Sequence, residues 1–356
     1  MSDRSRTGRR GGGHARTTGR VAGAVVAVAG AVGLALLALP AGAGAAPELP
    51  PVTPEELVSS VLKARPGPFD GTVTLDNQLG LPALPNMPAA SSGTSTVRVW
   101  SDGDGRGRVQ VPSDSGERTL VSDGSTLWSW NSADRTVVRS TEHAERHTSG
   151  PDTTTDPTAA ATMALAALRP SSTIDVDGTA EVAGRPAYEL VLAPLPSERT
   201  LLREVRIAVD SATRVPLRLT VLANGSSDPA LQLGFTDVSF GAQDGSLFTF
   251  TPPPGATVED REPRAEHEKA NGTRPTVVGD GWDSVIVTKA PARDSARAED
   301  RRPGAPDLST LGTPVSGPWG NGRLITTTVG GAIITDDGRV AAGAVPEQVL
   351  SSALSA

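Results

Sequence analysis

Few residues in this chain could do chemistry. His143 and His147 stand four apart, with Glu142 and Glu145 beside them. On a helix that spacing would place two imidazoles on one face, where they could share a zinc ion. The order is not that of a His-Glu-x-x-His zinc helix, and the stretch is charged, so a solvated loop is the simpler reading. There is no Cys, which excludes disulfides, thiolate metal sites and thiol nucleophiles. No Gly-x-Ser-x-Gly elbow, phosphate loop or Ser-x-x-Lys set occurs. The Asp-Gly pairs do not continue into a calcium loop. The sequence therefore predicts no catalytic residue, no metal, no cofactor and a non-enzymatic role.

Charge narrows the partners. The chain carries a net charge of −7, but its basic residues are concentrated at the start. Arg4, Arg6, Arg9, Arg10, Arg16 and Arg20 precede an uncharged apolar run from Val21 to Leu39, and the small residues from Ala41 to Ala46 follow. These are the three parts of a secretory signal peptide, read here as residues 1–45, with Ala43-x-Ala45 as the preferred cleavage site. The apolar run is nearly long enough to span a bilayer, so an uncleaved N-terminal anchor is the alternative. Removing residues 1–45 leaves 27 basic against 39 acidic residues, a net −12. A chain so acidic is not built to hold nucleic acid, or to lie on an anionic membrane by charge. Contact with lipid would have to be through apolar surface.

That surface is written as alternation. From Phe69 to Phe250, some nine to eleven runs alternate aliphatic and polar residues, separated by Gly, Asp and Ser clusters such as Gly103-Asp104-Gly105 and Asp123-Gly124. Leu127 to Trp130 and Thr136 to Val138 read as two short antiparallel strands joined by a tight turn. The pattern is that of an antiparallel sheet covered on one side only. So many twisted strands curl toward a barrel. With small inward residues and few aromatics, such a sheet leaves reason to suspect an apolar concavity.

Two helices stand beside these strands. Thr53-Pro54-Glu55-Glu56 carries a capping box and a first-position proline, followed by the stripe Leu57, Val58, Val61, Leu62. Asp156-Pro157 opens a second helix, Thr158 to Leu168, with Met163, Leu165 and Leu168. Each reads first as a helix docked on a core and second as a lid over a cavity. Leu79 to Pro88 is apolar but interrupted by three prolines, and reads as a packed loop or a contact surface. Residues 259–281 and 291–318 read as charged and Pro-rich linkers. A small C-terminal β unit, 282–356, contains strands at Trp282 to Thr288 and Arg323 to Thr328, a hairpin turn at Asp336 to Arg339, and a closing helix from Pro346 to Leu354.

Several stretches, in order, resemble the LolA-like lipoprotein carriers and the RseB (MucB)-like regulators. They are FDGTVT from Phe69, DGSTLWSWN from Asp123, GRPAYELVL from Gly184, VRIAVDSATRVPLRL from Val205, FTDVSF from Phe235 and FTFTPPPGA from Phe248. The resemblance covers about Val52 to Val258, and the compositional bias suggests a secreted actinobacterial-type member. It implies a mainly β (α+β) fold over residues 46–258, a curved antiparallel half-barrel sheet with a helical lid enclosing an apolar cavity. It also implies an exported, extracytoplasmic carrier or binding protein for lipids or the acyl chains of lipoproteins. The alternative is an RseB-like envelope sensor that binds a membrane-anchored anti-sigma factor or other regulatory partner, with the C-terminal unit as partner surface.

On this reading the cavity is lined by Val73, Leu75, Val97, Val99, Trp128, Leu190, Ile207, Leu219 and Leu233. The lid is formed by Leu57, Val61, Met163 and Leu165. Leu79, Leu81, Leu84 and Met87 form a candidate entrance loop.

Overall fold

The computed structural model describes residues 47–81, 93–113, 116–141, 165–261, 275–289 and 312–355. Residues 1–45, read as a signal peptide, the His143/His147 pair, Met163, Leu84 and Met87 lie outside the described residues.

Helix α1 (Pro54–Lys63) starts where its capping box predicts. The Glu56 amide donates to Thr53 Oγ1 at 3.2 Å, and the Thr53 amide donates back to Glu56 Oε2 at 2.9 Å. Twelve strands then form one sheet. In chain order they are β1 (Phe69–Asn77), β2 (Gly93–Ser101), β3 (Gly107–Ser113), β4 (Gly116–Ser122), β5 (Leu127–Asn131), β6 (Thr136–Ser140), β7 (Ser172–Val182), β8 (Arg185–Pro194), β9 (Leu202–Asp210), β10 (Pro216–Ala223), β11 (Pro229–Phe240) and β12 (Thr257–Arg261). Their order across the sheet is 12-6-5-4-3-2-1-11-10-9-8-7. All neighbours are antiparallel except β12, which runs parallel to β6. The sheet is curved and does not close: β12 and β7 are its edges. Two meanders, β1–β6 and β7–β11, are joined by the pairing of β1 with β11. Gly71 permits that joint, since a Cβ there would lie 2.7 Å from the Phe235 ring.

A second sheet contains β13 (Thr276–Val278), β14 (Val285–Lys289), β15 (Thr313–Gly317), β16 (Gly320–Thr327), β17 (Gly330–Thr335) and β18 (Arg339–Gly343), in the order 13-14-18-17-16-15. Helix α2 (Glu347–Ser355) covers one face of it through Val349, Leu350 and Leu354, packed with Val285, Leu324 and Ile333. The two sheets meet through backbone bonds from Leu201 N to Ala344 O and from Thr328 N to Leu79 O, both 2.9 Å. The Trp282 indole adds a bond to Ser172 Oγ at 2.7 Å.

Several strands differ from the sequence expectation. β13 falls within the stretch read as the charged linker, β12 runs into its start, and β15 falls within the Pro-rich one. All five residues of β12 are exposed, so no alternation marks it. Phe248 ends a 3-10 turn, Gly245–Phe248, rather than lying in a strand. The strand expected from Trp282 starts at Val285, after a second 3-10 turn at Gly281–Asp283.

The DSATR turn after β9 is organised by one carboxylate. Asp210 Oδ1 accepts from the amides of Ala212 at 2.9 Å and Thr213 at 2.6 Å, and from Thr213 Oγ1 at 3.0 Å. Arg185 of β8 forms an ion pair with the same carboxylate, which is fully buried. Burial raises the Asp210 pKa, but the Arg185 and Thr213 hydrogen bonds outweigh it and leave the group below its ordinary range. Its contribution to stability is therefore complete above the ordinary carboxylate range and is lost as pH falls through the depressed value. Asp210→Ala is expected to cost about 3 kcal/mol in urea unfolding. Asp210→Asn should flatten the acid limb of stability against pH, and an unchanged limb would refute this assignment.

Candidate ligand-binding face

Directly opposed residues of paired strands share a face. The register therefore aligns Leu75 with Leu233, Leu233 with Leu219, Leu219 with Ile207, Ile207 with Leu190, and Leu190 with Val176. Six strands contribute one unbroken apolar row. The next row on the same face is Leu231, Val221, Val205, Leu192 and Ile174. On the other side of Leu75, Val73 opposes both Val97 and Phe235. Val99 follows Val97 two residues on, with the same orientation.

The opposite face of β8–β10 is charged. Arg218 Nη2 donates to Glu189 Oε1 at 2.7 Å, and Arg206 bonds Glu189 Oε2 at 3.2 Å and Glu204 Oε1 at 2.8 Å. An apolar ligand is thus restricted to the first face. Val73, Val99 and Leu190 are buried there, while Leu75, Val97, Ile207, Leu219 and Leu233 are half-buried. The second row, including Val205, Val221 and Leu231, extends the set beyond the residues singled out from sequence, and its signal was the same alternation.

Helix α1 lies over the β7–β9 end of this face. Leu57 is completely buried, and Leu57, Val61 and Leu165 pack with Ile174, Tyr188, Leu190, Ile207 and Val209. Leu165 belongs to a short helical stretch, 165–168, and Arg169 just after it bonds the Glu55 carboxylate at the start of α1. The segment before α1 is tied down as well. The Tyr188 hydroxyl donates to Pro50 O at 3.0 Å, and Thr179 Oγ1 to Pro47 O at 2.7 Å.

Trp128 does not belong to this face. The pairings Val99–Val109, Val109–Leu120 and Leu120–Ser129 carry the apolar face through Ser129, so Trp128 points the other way with Val121, Arg108 and Trp100. There its ring lies 5.6 Å from that of Phe250, with the Arg139 guanidinium 5.7 Å above it. The phase of β5 is one residue away from the expectation because Trp128 and Trp130 together oppose a strand, Thr119-Leu120-Val121, whose own phase is ambiguous.

The entrance loop is only partly described. Leu79 and Leu81 run from β1 onto the second sheet, where Thr328 Oγ1 also donates to Gln78 O at 2.7 Å. Leu81 lines a cleft of about 330 Å3 there with Ile325, Thr327, Val329 and Ala332. Among the described residues no three His, Asp or Glu side chains stand close enough to hold a metal ion. No described helix is long and apolar enough to cross a membrane.

No family model matches the chain, and no curated protein does. Solved structures do resemble it. One chain of the Pseudomonas aeruginosa MucA/MucB complex is 17% identical, matching 85% of this chain and 96% of its own, with a TM-score of 0.47. A LolA superfamily protein from Nitrosomonas europaea is 12% identical over 56% of this chain and 99% of its own, with a TM-score of 0.25. A Vibrio parahaemolyticus domain described as outer membrane lipoprotein-sorting is 15% identical over 54% and 97%, with a TM-score of 0.23. The fold is similar to that of MucB and LolA-superfamily proteins. The MucB match spans most of the chain and the LolA-type matches a little over half; all concern the fold alone.

Trp128 lies on the opposite side from the apolar row and packs beside Phe250. Trp128→Ala is expected to cost about 3 kcal/mol through lost contact with Phe250. Uptake of an apolar dye by the refolded variant should match the parent chain, and a selective loss of uptake without destabilisation would return Trp128 to the site.

Proposed function

We propose that this protein is an extracytoplasmic, non-enzymatic binding protein that carries a lipid, or the acyl chain of a lipoprotein, on the apolar face described above. The observation that supports this most is the unbroken row from Leu75 to Leu190. At the usual strand spacing it is about 19 Å long, enough to hold an extended acyl chain along its length. One end passes beneath α1, while Ile207, Leu219, Leu233 and Leu75 are only half-buried. Full burial would add to the stabilisation of such a sheet, and each half-buried aliphatic forgoes about 1 kcal/mol of it. The signal sequence supports export, and the net −12 of the processed chain argues for apolar rather than electrostatic contact with lipid.

A second reading, an envelope sensor that binds a membrane-anchored regulator, has an observation of its own. In the second sheet Val277 and Ile286 oppose one another and are 45% and 52% exposed. Apolar pairs so exposed mark contact surfaces.

Native mass spectrometry of the processed chain, purified from its own host envelope, tests the carrier reading. The expected result is a discrete lipid or acylated peptide adduct, absent from the Leu219→Asp, Leu233→Asp double variant. A bare protein that also takes up no added lipid would overturn it. Retention of a single membrane protein, lost on Val277→Asp and Ile286→Asp substitution, would then favour the sensor.

A further inference from the structure

Arg214 is the residue that neither the fold nor the packing of α1 explains. It ends the DSATR turn with a φ of +62°, left-handed backbone that a non-glycine residue adopts only when held there. The hold is visible: the Arg214 amide donates to Asp210 O at 3.1 Å, and the Asp210 amide to Val215 O at 2.9 Å. Held so, the side chain turns back over the apolar face, with its guanidinium carbon 5.1 Å from the centroid of the Tyr188 ring. Nη1 is buried and has no hydrogen-bond partner. Among the described residues no carboxylate pairs with Arg214. The nearby carboxylate of Asp210 is already engaged by Arg185, Ala212 and Thr213.

A buried guanidinium N–H without an acceptor is costly, and a folded protein does not normally retain one without a use. Its position suggests the use. Tyr188 and Val209 oppose each other on the same face, two residues before Leu190 in β8 and two after Ile207 in β9. Arg214 thus sits about 7 Å along the strands from the apolar row, at its helix-covered end. We propose that Arg214 binds the oxyanion headgroup of an amphiphile, a carboxylate or phosphate, whose apolar chain lies along Leu190, Ile207, Leu219, Leu233 and Leu75. The inference rests on the acyl-chain reading above and adds to it the polar end and direction of the ligand. Arginine suits the task, because its planar fork meets two oxygens of a carboxylate or phosphate at once.

The protein supplies its own probe. Tyr188 is the only tyrosine in the chain, so 3-fluorotyrosine labelling gives a single 19F resonance directly under the guanidinium. The processed chain would be titrated with dodecanoate, dodecanol, dodecyl phosphate and acetate. Dodecanoate or dodecyl phosphate is expected to bind at least about tenfold more tightly than dodecanol and to shift the Tyr188 resonance, whereas acetate should not bind. Arg214→Leu should reduce that preference to near unity while leaving dodecanol affinity in place, and Arg214→Lys should restore part of it. Which of the two anionic amphiphiles binds more tightly distinguishes carboxylate from phosphate. Equal binding of dodecanol and both anions by the parent chain would overturn the headgroup site and leave the carrier reading standing. So would an unmoved resonance, or acetate binding as tightly as dodecanoate. Failure of every alkyl ligand to bind would overturn both. If Arg214→Leu does not fold, the parent-chain ligand series and Arg214→Lys decide the question.

Discussion

The apolar face depends on the register of β8, β9 and β10, and Asp210 holds that register. A strand displaced by one residue turns its whole aliphatic set to the other side. Here the other side carries Glu189, Glu204, Arg206 and Arg218. A slip would therefore bury charge under α1 and expose leucine, a double penalty. The penalty acts only if the turn between β9 and β10 permits no alternative length. The buried Asp210 carboxylate removes that freedom by taking two turn amides and the Thr213 hydroxyl, and its ion pair with Arg185 fixes β8 to the same point. One side chain thus aligns three strands, and the pairings from β10 through β11 to β1 carry the alignment onward.

The two meanders use their faces differently. In β7–β11 and β1 the aliphatic row looks toward α1. In β4–β6 the deeply buried residues Val121 and Val137 are on the opposite face, with Trp128. That side is covered by residues 245–250: Phe250 stacks near Trp128, the Arg106 guanidinium lies 5.3 Å over Phe248, and Arg108 bonds Leu247 O at 3.4 Å. The chain after β11 crosses back over the first meander to provide this cover, and β12 then adds to its edge as the one parallel strand. The first meander thus packs on both sides: residues 245–250 cover the Trp128 side, while Val73 and Val99 of its other face join Phe235 in a core cluster that leaves Leu75 and Val97 half-buried.

Much of this was legible in the residues. The Thr53–Glu56 box, the Asp123 turn and the Asp210–Thr213 turn each rest on local side chain-to-backbone bonds, which sequence spacing states directly. The rows of the apolar face follow from alternation, whereas the register turns Trp128 to the opposite side. In LWSW, with Trp on one phase and Leu and Ser on the other, size argues for the tryptophans inside, and Trp128 is indeed packed, but beside Phe250 on the other side of the sheet. Nothing local specifies that a segment some 120 residues later will cover them. β12 and β13 were illegible for the converse reason: their side chains are mostly exposed, and pairing of backbone alone leaves no mark on the sequence. Arg214 was equally silent, since an arginine after a turn is ordinarily solvated and its burial appears only in three dimensions.

The charge at Arg214 stands at the end of the row rather than in the middle, and this matters for what the face can do. An apolar groove with no polar feature binds by area alone and does not distinguish one chain direction from another. A cation fixed at one end breaks that symmetry at little cost to the apolar middle. On the proposed reading it would also place the polar end of a ligand beneath the covered side, next to Tyr188, with the chain directed toward the half-buried leucines. The tether from Tyr188 to Pro50 makes the same tyrosine part of the attachment of the segment leading into α1. Occupancy at Arg214, as proposed, would therefore be felt at the ring that also anchors the segment leading into α1, which would couple loading of the face to the seating of the helix.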